Sequence, residues 1–438
     1  MRTRLHPGLW GIALALPLLL SPHSQPALIR DHVPRQLSET GIFTSLTALT
    51  PAAGWLAYAV NAPLWSDGAH KQRWMALPPG AHIDFSPTGA WHFPPGTWFA
   101  KTFSLSVDEQ HPTYVRRLET RLLLCEETGI YGVTYRWRED QLDADLLNHD
   151  AGPGMDEDIP IRTASGALRN QRWHYPSRSE CRQCHTSAAG LILGVQTRQL
   201  NRPLANDGHG INQLNAWSHA GLFAQPPADQ AIAGFARLSA IDDLQASLEQ
   251  RVRSYLDVNC AHCHQPGAVG FALFDGRFDT PLAEQNLIRG HVIIDHGIDR
   301  ARYLVPQDPW RSMLLIRMET DAELRMPPLA RNVVDSQATT AMRQWLHSLP
   351  GKPALPPPTI IPSGGAFSAP VEVTLTTPNQ EATIRYTLDG SLPDSDSSIY
   401  TQPLPLTPPL TIRAAAFCSG FNPSVSVHAT FTAAVQKP

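Results

Sequence analysis

The chain is poor in several features that would assign it a class at once. Only 17% of its 438 residues are charged, no run of Lys or Arg occurs, and the net charge is −4 with a pI near 6.5. That pattern argues against nucleic acid or an anionic membrane surface as a partner. No apolar run is long enough to span a membrane comfortably; the N-terminal run, Leu9 to Leu20, is short and contains Pro17. No cysteine follows that run, which argues against a lipid anchor. Cysteine itself is scarce, with six residues in the whole chain, and four of them fall into two short motifs rather than a disulfide framework.

What is present at the N-terminus has the layout of an export signal. Arg2 and Arg4 precede the apolar run, and a polar Ser/Pro/His/Gln stretch follows it. We expect a signal peptide over residues 1–27 and a periplasmic or secreted location. Gln25 occupies the usual small-residue position before a cleavage after Ala27, so an uncleaved N-terminal anchor is the alternative. The length implies two to four domains. Eleven Trp and 14 Phe supply core material, and 40 Pro point to loops and turns rather than a long helical bundle.

The two cysteine motifs are Cys181-Arg182-Gln183-Cys184-His185 and Cys260-Ala261-His262-Cys263-His264. Two thiols three residues apart, with histidine directly after the second, form the attachment pattern for a c-type haem. Each motif offers two thioether sulfurs and a proximal imidazole, so we expect two haem c groups, bound covalently through Cys181, Cys184, Cys260 and Cys263, with His185 and His264 on the irons. Zinc is the rival for paired thiols, but the two pairs lie too far apart in the chain for a compact ribbon. A redox dithiol is the other rival, and no thioredoxin-like βαβ pattern surrounds either pair.

Taken in order, residues 38–175 read as a β-rich domain, a sandwich or jelly roll. Thr97 to Val107 alternates with Phe99, Phe103, Leu105 and Val107 on one side, and Gly129 to Trp137 places Tyr131, Val133, Tyr135 and Trp137 on one face. Met155 to Asp158 reads as an acidic loop. Residues 176–234 form a first haem segment packed on the β domain, with Pro176 and Ser177 preparing a helix start. Residues 239–349 read as an α-helical, class I-like cytochrome c domain. Ser239 with Asp242 resembles a capping box, a helix with Leu244, Leu248, Val252 and Leu256 leads into Cys260, and a closing helix capped by Asp335 or Ser336 ends at Pro350-Gly351. A Pro-rich linker covers 350–363. Residues 364–438 read as a small β-sandwich of immunoglobulin-like size, with no carboxylate pair, His cluster or Gly-rich loop to suggest catalysis. The expected fold class is multidomain: an antiparallel β domain, an α-helical cytochrome c domain and a C-terminal sandwich.

The sixth iron ligands are harder to place. For the second haem, Met326 in Arg325-Met326-Pro327-Pro328-Leu329 sits on a loop that two prolines hold extended. Met/His ligation raises the reduction potential, which suits onward electron transfer. Met318 is the alternative, although it reads as core, and His262 reads as a surface residue. No Met lies between His185 and His264. For the first haem His174 is the leading candidate, with Met155, His209 or an open position as alternatives. Cys125 and Cys418 read as isolated thiols in two separate domains.

Several stretches resemble a family of bacterial exported dihaem c-type cytochromes. They are Asn61-Ala62-Pro63-Leu64-Trp65-Ser66-Asp67-Gly68, Arg117-Leu118-Glu119-Thr120-Arg121, Tyr175-Pro176-Ser177-Arg178 and Met326-Pro327-Pro328-Leu329. The resemblance covers about residues 38–350 and implies a secreted or periplasmic haem protein. Relatives carry a Met shortly after the first motif where this chain has Leu191-Ile192-Leu193. The tail, through Ile384-Arg385-Tyr386-Thr387-Leu388-Asp389-Gly390-Ser391, resembles the C-terminal β-sandwich of chitobiase-type glycosidases, an accessory module in those enzymes. The expected function is electron transfer between periplasmic redox proteins, from a dehydrogenase donor to a cytochrome or oxidase acceptor. The alternatives are a haem peroxidase or oxidase using an open first site, and a polysaccharide-binding protein that contacts sugar or cell wall through its C-terminal module.

Overall fold

The computed structural model describes residues 28, 30, 32–147, 152–204, 210–268, 273–321, 323–329 and 331–434. The expected signal peptide and His209 lie outside the described residues. Among the described residues no helix is long and apolar enough to cross a membrane.

A short hairpin of β1 (Phe43–Ser45) and β2 (Thr50–Pro51) precedes a six-stranded sheet. The sheet contains β3 (Leu56–Ala57), β4 (His70–Ala76), β5 (Trp98–Ser106), β6 (Val115–Cys125), β7 (Ile130–Trp137) and β8 (Ala144–Leu146). Each strand pairs antiparallel with its neighbour in sequence, so the sheet is a meander, and neither a jelly roll nor two stacked sheets. Period-two alternation sorts its side chains. One face buries Trp74, Trp98, Ala100, Leu122, Leu124, Tyr131, Val133, Tyr135 and Trp137 against Leu37, Ile42 and Phe43. The other face carries two separate apolar clusters. Met75, Phe99, Leu123 and Ile130 pack with the segment after the first motif, while Phe103, Leu105 and Leu118 pack on the hairpin of β9 (Met155–Arg162) and β10 (Leu168–Tyr175). The acidic stretch at 155–158 is therefore strand rather than loop: Glu157 accepts bonds from Arg116, Arg136 and Tyr175, and Asp156 from His174.

Helices follow: α1 (Arg178–Cys184), α2 (Thr197–Leu200), α3 (Gln213–His219), α4 (Asp229–Ile232), α5 (Leu248–Asn259), α6 (Met313–Glu319) and α7 (Ser336–Ser348). The expectation of an α-helical, class I-like cytochrome c domain over 239–349 is corrected. Among the described residues the protein is mostly β-sheet with few helices, and no cytochrome c helical domain is evident. Among the described residues of 239–349 only α5, α6 and α7 are helical, and those of 260–312 contain no helix. Gly, Pro and Asp/Asn turns break that stretch, and a run of bridges such as Ile288 to Leu304 replaces helical bonding. The start of α5 also differs from expectation. Ser247, not Ser239, caps it by accepting from Gln250 N, and Leu244 is exposed. Asp335 caps α7 through Ala338 N, as its position suggested. The core beneath is Val252, Leu256, Leu315, Met318, Met342, Trp345 and Leu346.

The C-terminal sandwich begins at Thr359, inside the proline-rich stretch. It contains β11 (Thr359–Ile361), β12 (Gly365–Phe367), β13 (Val371–Thr376), β14 (Thr383–Thr387), β15 (Ser398–Ile399), β16 (Leu404–Leu406), β17 (Leu410–Phe417) and β18 (Val427–Ala433). Three strands (β11-β13-β16) face five (β12-β18-β17-β14-β15) across Val373, Leu375, Ile384, Ile412, Ala414 and Phe431. The tether is docked on the body: Leu355 is fully buried and its N–H donates to Asn422 O, while Ala354 N donates to Gln307 O. Arg311 completes the junction, donating to Asp299, Asp308, Pro423 O and Ser424 O.

Candidate functional site

The first motif is placed by α1. Ser177 caps the helix and Glu180 returns the bond, a reciprocal box that fixes where the turn begins. Cys181 then lies against Gly132 of β7, where an added Cβ would stand 3.3 Å from its sulfur. A Cβ at this position would crowd the Cys181 sulfur, so glycine suits the close approach of helix and sheet. His185 ends the helix, and its Nδ1 lies 2.6 Å from Leu191 O. Donation to that carbonyl leaves Nε2 with its lone pair. Burial pushes the imidazole down to about 4, so it is neutral at ordinary pH.

The second motif leaves the end of α5. Cys260 N and His264 N bond to Leu256 O and Cys260 O, which continue the turn through the motif. Cys260 is buried, and the His264 ring stacks on Phe274 at 4.2 Å. His264 Nδ1 is buried without a hydrogen-bond partner in the structure. Burial pushes this imidazole down to about 4 as well.

The two motifs, remote in sequence, meet in space. The Cys184 and Cys263 thiols are close enough to act on each other's protonation: the pairing pushes Cys263 down and Cys184 up, with burial adding to the rise at Cys184. His262 also favours the Cys263 thiolate and is half-buried, so its expected place on the surface is corrected. All six cysteines are free thiols; Cys125 is buried and Cys418 half-buried.

Two devices hold the motifs together. In the first, Arg198 of α2 donates through Nη2 to Asp257 Oδ1 at 2.9 Å and through Nε to Oδ2 at 3.0 Å, while its Nη1 reaches Asp279 at 2.7 Å. The second is the strap of residues 61–67. Asn61 Nδ2 donates to Arg198 O and Asn201 O, Trp65 N to Asn259 Oδ1, and Trp65 Nε1 to Val333 O. Asp67 Oδ1 accepts from Asn332 N at 2.7 Å and Val333 N at 2.8 Å. The sequence alone gives this strap no role. Its conspicuous Asn, Trp and Asp side chains were the available signal.

Met326 is half-buried, and its N–H donates to Arg317 O at 2.9 Å. Arg331, buried, donates to Met326 O, Arg317 O and Thr320 O, so the loop is bound at several points. Arg317 is also near enough to His264 for its charge to disfavour the imidazolium, which puts this loop and the second histidine in one neighbourhood. Met318 is core, and Met155 packs beside the β9–β10 cluster.

His174 occupies a different setting. Its Nδ1 lies 2.7 Å from Asp156 and its Nε2 2.9 Å from Glu180, so both nitrogens are committed to carboxylates and neither is free for a metal. Burial alone would lower its proton affinity, but the two carboxylates more than reverse that and raise it above the usual 6.5. The raised group contributes stability that is fully present below pH 6.5 and lost as pH rises through the folded value. His174→Gln is therefore expected to flatten the fall in stability above pH 6.5, read by chemical denaturation at a series of pH values; an unchanged slope would exclude this clamp.

One group escaped sequence reading entirely. Arg73, Lys101 and Arg121 face one another on β4, β5 and β6 in a single cross-strand row, and Lys71 occupies the next row opposite Phe103. Lys101 interrupts the Phe99/Phe103 face, and that break in the apolar alternation was the overlooked signal.

Comparison with known proteins supplies one match. Residues 362–429 match the chitobiase/beta-hexosaminidase C-terminal domain family, and the C-terminal module is similar to that domain. No curated protein and no solved structure matches the chain. The expectation of a metal-binding protein of cytochrome c type is corrected on two findings. Among the described residues no group of three or more His, Cys, Asp or Glu could hold a metal ion, and the family match is to a module of carbohydrate-active enzymes rather than to a cytochrome.

Proposed function

We propose that this chain is an exported protein that carries covalently attached porphyrin iron at Cys181–His185 and Cys260–His264 and passes electrons between periplasmic redox partners. The observation that carries this reading is the convergence of two Cys-x-x-Cys-His motifs on one neighbourhood, where Cys184 and Cys263 act on each other's protonation. Covalent attachment asks each motif for two sulfurs and one imidazole, not for a cage of metal-binding side chains. The donors fit that demand. Both histidines are buried and neutral, His185 keeps Nε2 free, and His264 Nδ1 is an orphaned buried atom. When bound, haem supplies a one-electron couple. The protein holds the two attachment points side by side through Arg198–Asp257 and the 61–67 strap, and it presents Met326 on a pinned loop near His264. A periplasmic dehydrogenase is the proposed donor, and a soluble carrier or oxidase the acceptor.

The test is covalent haem content. Full-length protein matured in a host that attaches haem c is expected to carry two haems by pyridine haemochrome and intact mass. The Cys181→Ala/Cys184→Ala and Cys260→Ala/Cys263→Ala variants are each expected to carry one. A haem-free wild-type chain, with Cys184 and Cys263 oxidised to a disulfide, would replace this reading with thiol redox chemistry.

The commitment of both His174 nitrogens favours a second reading, in which the first site keeps an open position and acts on a small ligand as an oxidase or peroxidase. Cyanide or carbon monoxide perturbing one of two haems supports it, and insensitivity of both removes it. The match over residues 362–429 supports carbohydrate contact by the sandwich. Retention of the full-length chain on insoluble polysaccharide tests that contact.

A further inference from the structure

The face of the six-stranded sheet that receives α1 is apolar at both ends and basic in the middle. On one row, Met75, Phe99, Leu123 and Gly132 follow one another across β4 to β7, and Cys181 rests on that glycine. The adjacent row reads Arg73, Lys101, Arg121 and Thr134, and the next reads Lys71, Phe103, Glu119 and Arg136. Three cations thus stand directly opposite one another on neighbouring strands. Lys71, Lys101 and Arg121 all lie within 6.0 Å of the Phe103 ring centre. Like charges in cross-strand register repel, and in a half-buried setting water screens them poorly.

The protein's own anions balance the row only in part: Asp67 and Asp335 act on Lys71, and Glu119 on Lys101, without pairing with either lysine. Glu119, fully buried, pairs with Arg121 at 2.5 Å, and Glu157 pairs with Arg136 at 2.8 Å. Lys71 donates to Leu64 O and Ala69 O, and Arg73 to Lys71 O, all neutral carbonyls. Among the described residues none of Lys71, Arg73 and Lys101 makes an ion pair. Burial first, and the neighbouring cations second, push both lysines down to about 7. The row also adjoins the first motif. Lys101 and Arg121 are close enough to His185 to disfavour its proton, and Arg121 senses the charge of Cys181 and Cys184.

We propose that Arg73, Lys101 and Arg121, with Lys71 beside them, form a seat for the paired carboxylates of the porphyrin attached at Cys181–His185. This rests on the covalent-haem reading and deepens it by naming what neutralises the propionates. A porphyrin brings two carboxylates on one edge, and the surplus here is Lys71, Arg73 and Lys101, none of which makes an ion pair among the described residues. Anion and row compensate each other, so the loaded protein keeps at pH 7 a set of charges that the empty one strains to hold. Lys101 is a positioning residue in this scheme and touches the carboxylate edge, not the iron.

The experiment compares full-length, haem-loaded wild type with Lys101→Met and Lys101→Arg, using haemochrome content and a redox titration that resolves both irons. Lys101→Met is expected to retain two haems while the midpoint potential of one falls, because an uncompensated carboxylate stabilises the ferric state. Lys101→Arg is expected to return that potential to the wild-type value. If Lys101→Met does not fold, Lys101→Gln and Arg73→Gln give the same reading. Unchanged potentials in a two-haem Lys101→Met protein overturn the seat and leave the haem reading standing. A first haem that starts to bind carbon monoxide in Lys101→Met also overturns it, by making Lys101 an iron ligand. A wild-type protein without covalent haem removes both proposals together.

Discussion

Asp257→Ala is expected to cost about 3 to 5 kcal/mol, because it strands the Arg198 guanidinium in the interior. The Asp257 side chain is inaccessible, and it accepts from Arg198 twice and from Phe278 N at 2.8 Å. Asp279 still faces Arg198 Nη1 at 2.7 Å, which places the loss toward the lower end of that range. The consequence extends beyond stability. Arg198 belongs to the segment after the first motif and Asp257 precedes Cys260 on α5, so this pair is a direct bond between the regions of the two Cys-x-x-Cys-His motifs. Replacing both partners, as Arg198→Met with Asp257→Leu, is expected to cost much less, since neither charge is then buried alone. Denaturant unfolding followed by Trp fluorescence, with hydrogen exchange of Phe278 as local probe, measures this. A loss under about 1 kcal/mol in Asp257→Ala would mean that water replaces the carboxylate and the pair holds nothing together.

Much of the local structure was legible in the sequence because short-range rules decide it. Ser177 and Asp335 cap helices, Met318 is core, and the Tyr131 to Trp137 alternation builds one buried face, all as spacing implies. The misreadings have longer-range causes. Leu244 and Leu248 look like successive turns of one helix, yet the chain turns at Asp243 and starts helix only after Ser247. Asp156 and Glu157 look solvated until Arg116, Arg136 and His174 arrive from other strands. The candidate site was half legible. Each motif announces its own thiols and histidine, but nothing local says that Cys184 meets Cys263 or that His174 is spent on two carboxylates. The row of Arg73, Lys101 and Arg121 exists only through strand register, which pairs residues far apart in the chain.

Asp67→Ala is expected to be the most disruptive single change in the strap, and Asp67→Asn nearly silent at neutral pH. Asp67 has a positive φ of 51°, a conformation Asp tolerates better than Ala, and it is buried. Its Oδ1 takes the N–H groups of both Asn332 and Val333, so the alanine leaves two backbone donors without their acceptor, at a cost of about 2 to 4 kcal/mol. Asparagine keeps that oxygen and gives up only the 3.2 Å contact of the Asn332 amide with Oδ2. Burial raises the Asp67 carboxyl above its ordinary value, with the Val333 and Asn332 bonds opposing that rise. A carboxyl raised in the folded state binds its proton more tightly there, so its effect on stability is most favourable at acid pH and is lost as pH rises through the folded value. Relative to Asp67→Asn, the wild type therefore gains stability as pH falls through the carboxylate range. Because Asn332 and Val333 continue directly from Arg331, which grips Met326 O, release of this anchor loosens the loop presented to His264. On the proposed covalent-haem reading, Asp67→Ala is accordingly expected to make a haem at Cys260–His264 accessible to carbon monoxide, whereas Asp67→Asn is not. Equal stability and equal carbon monoxide insensitivity in the two variants would show that the strap merely lies across the loop without holding it.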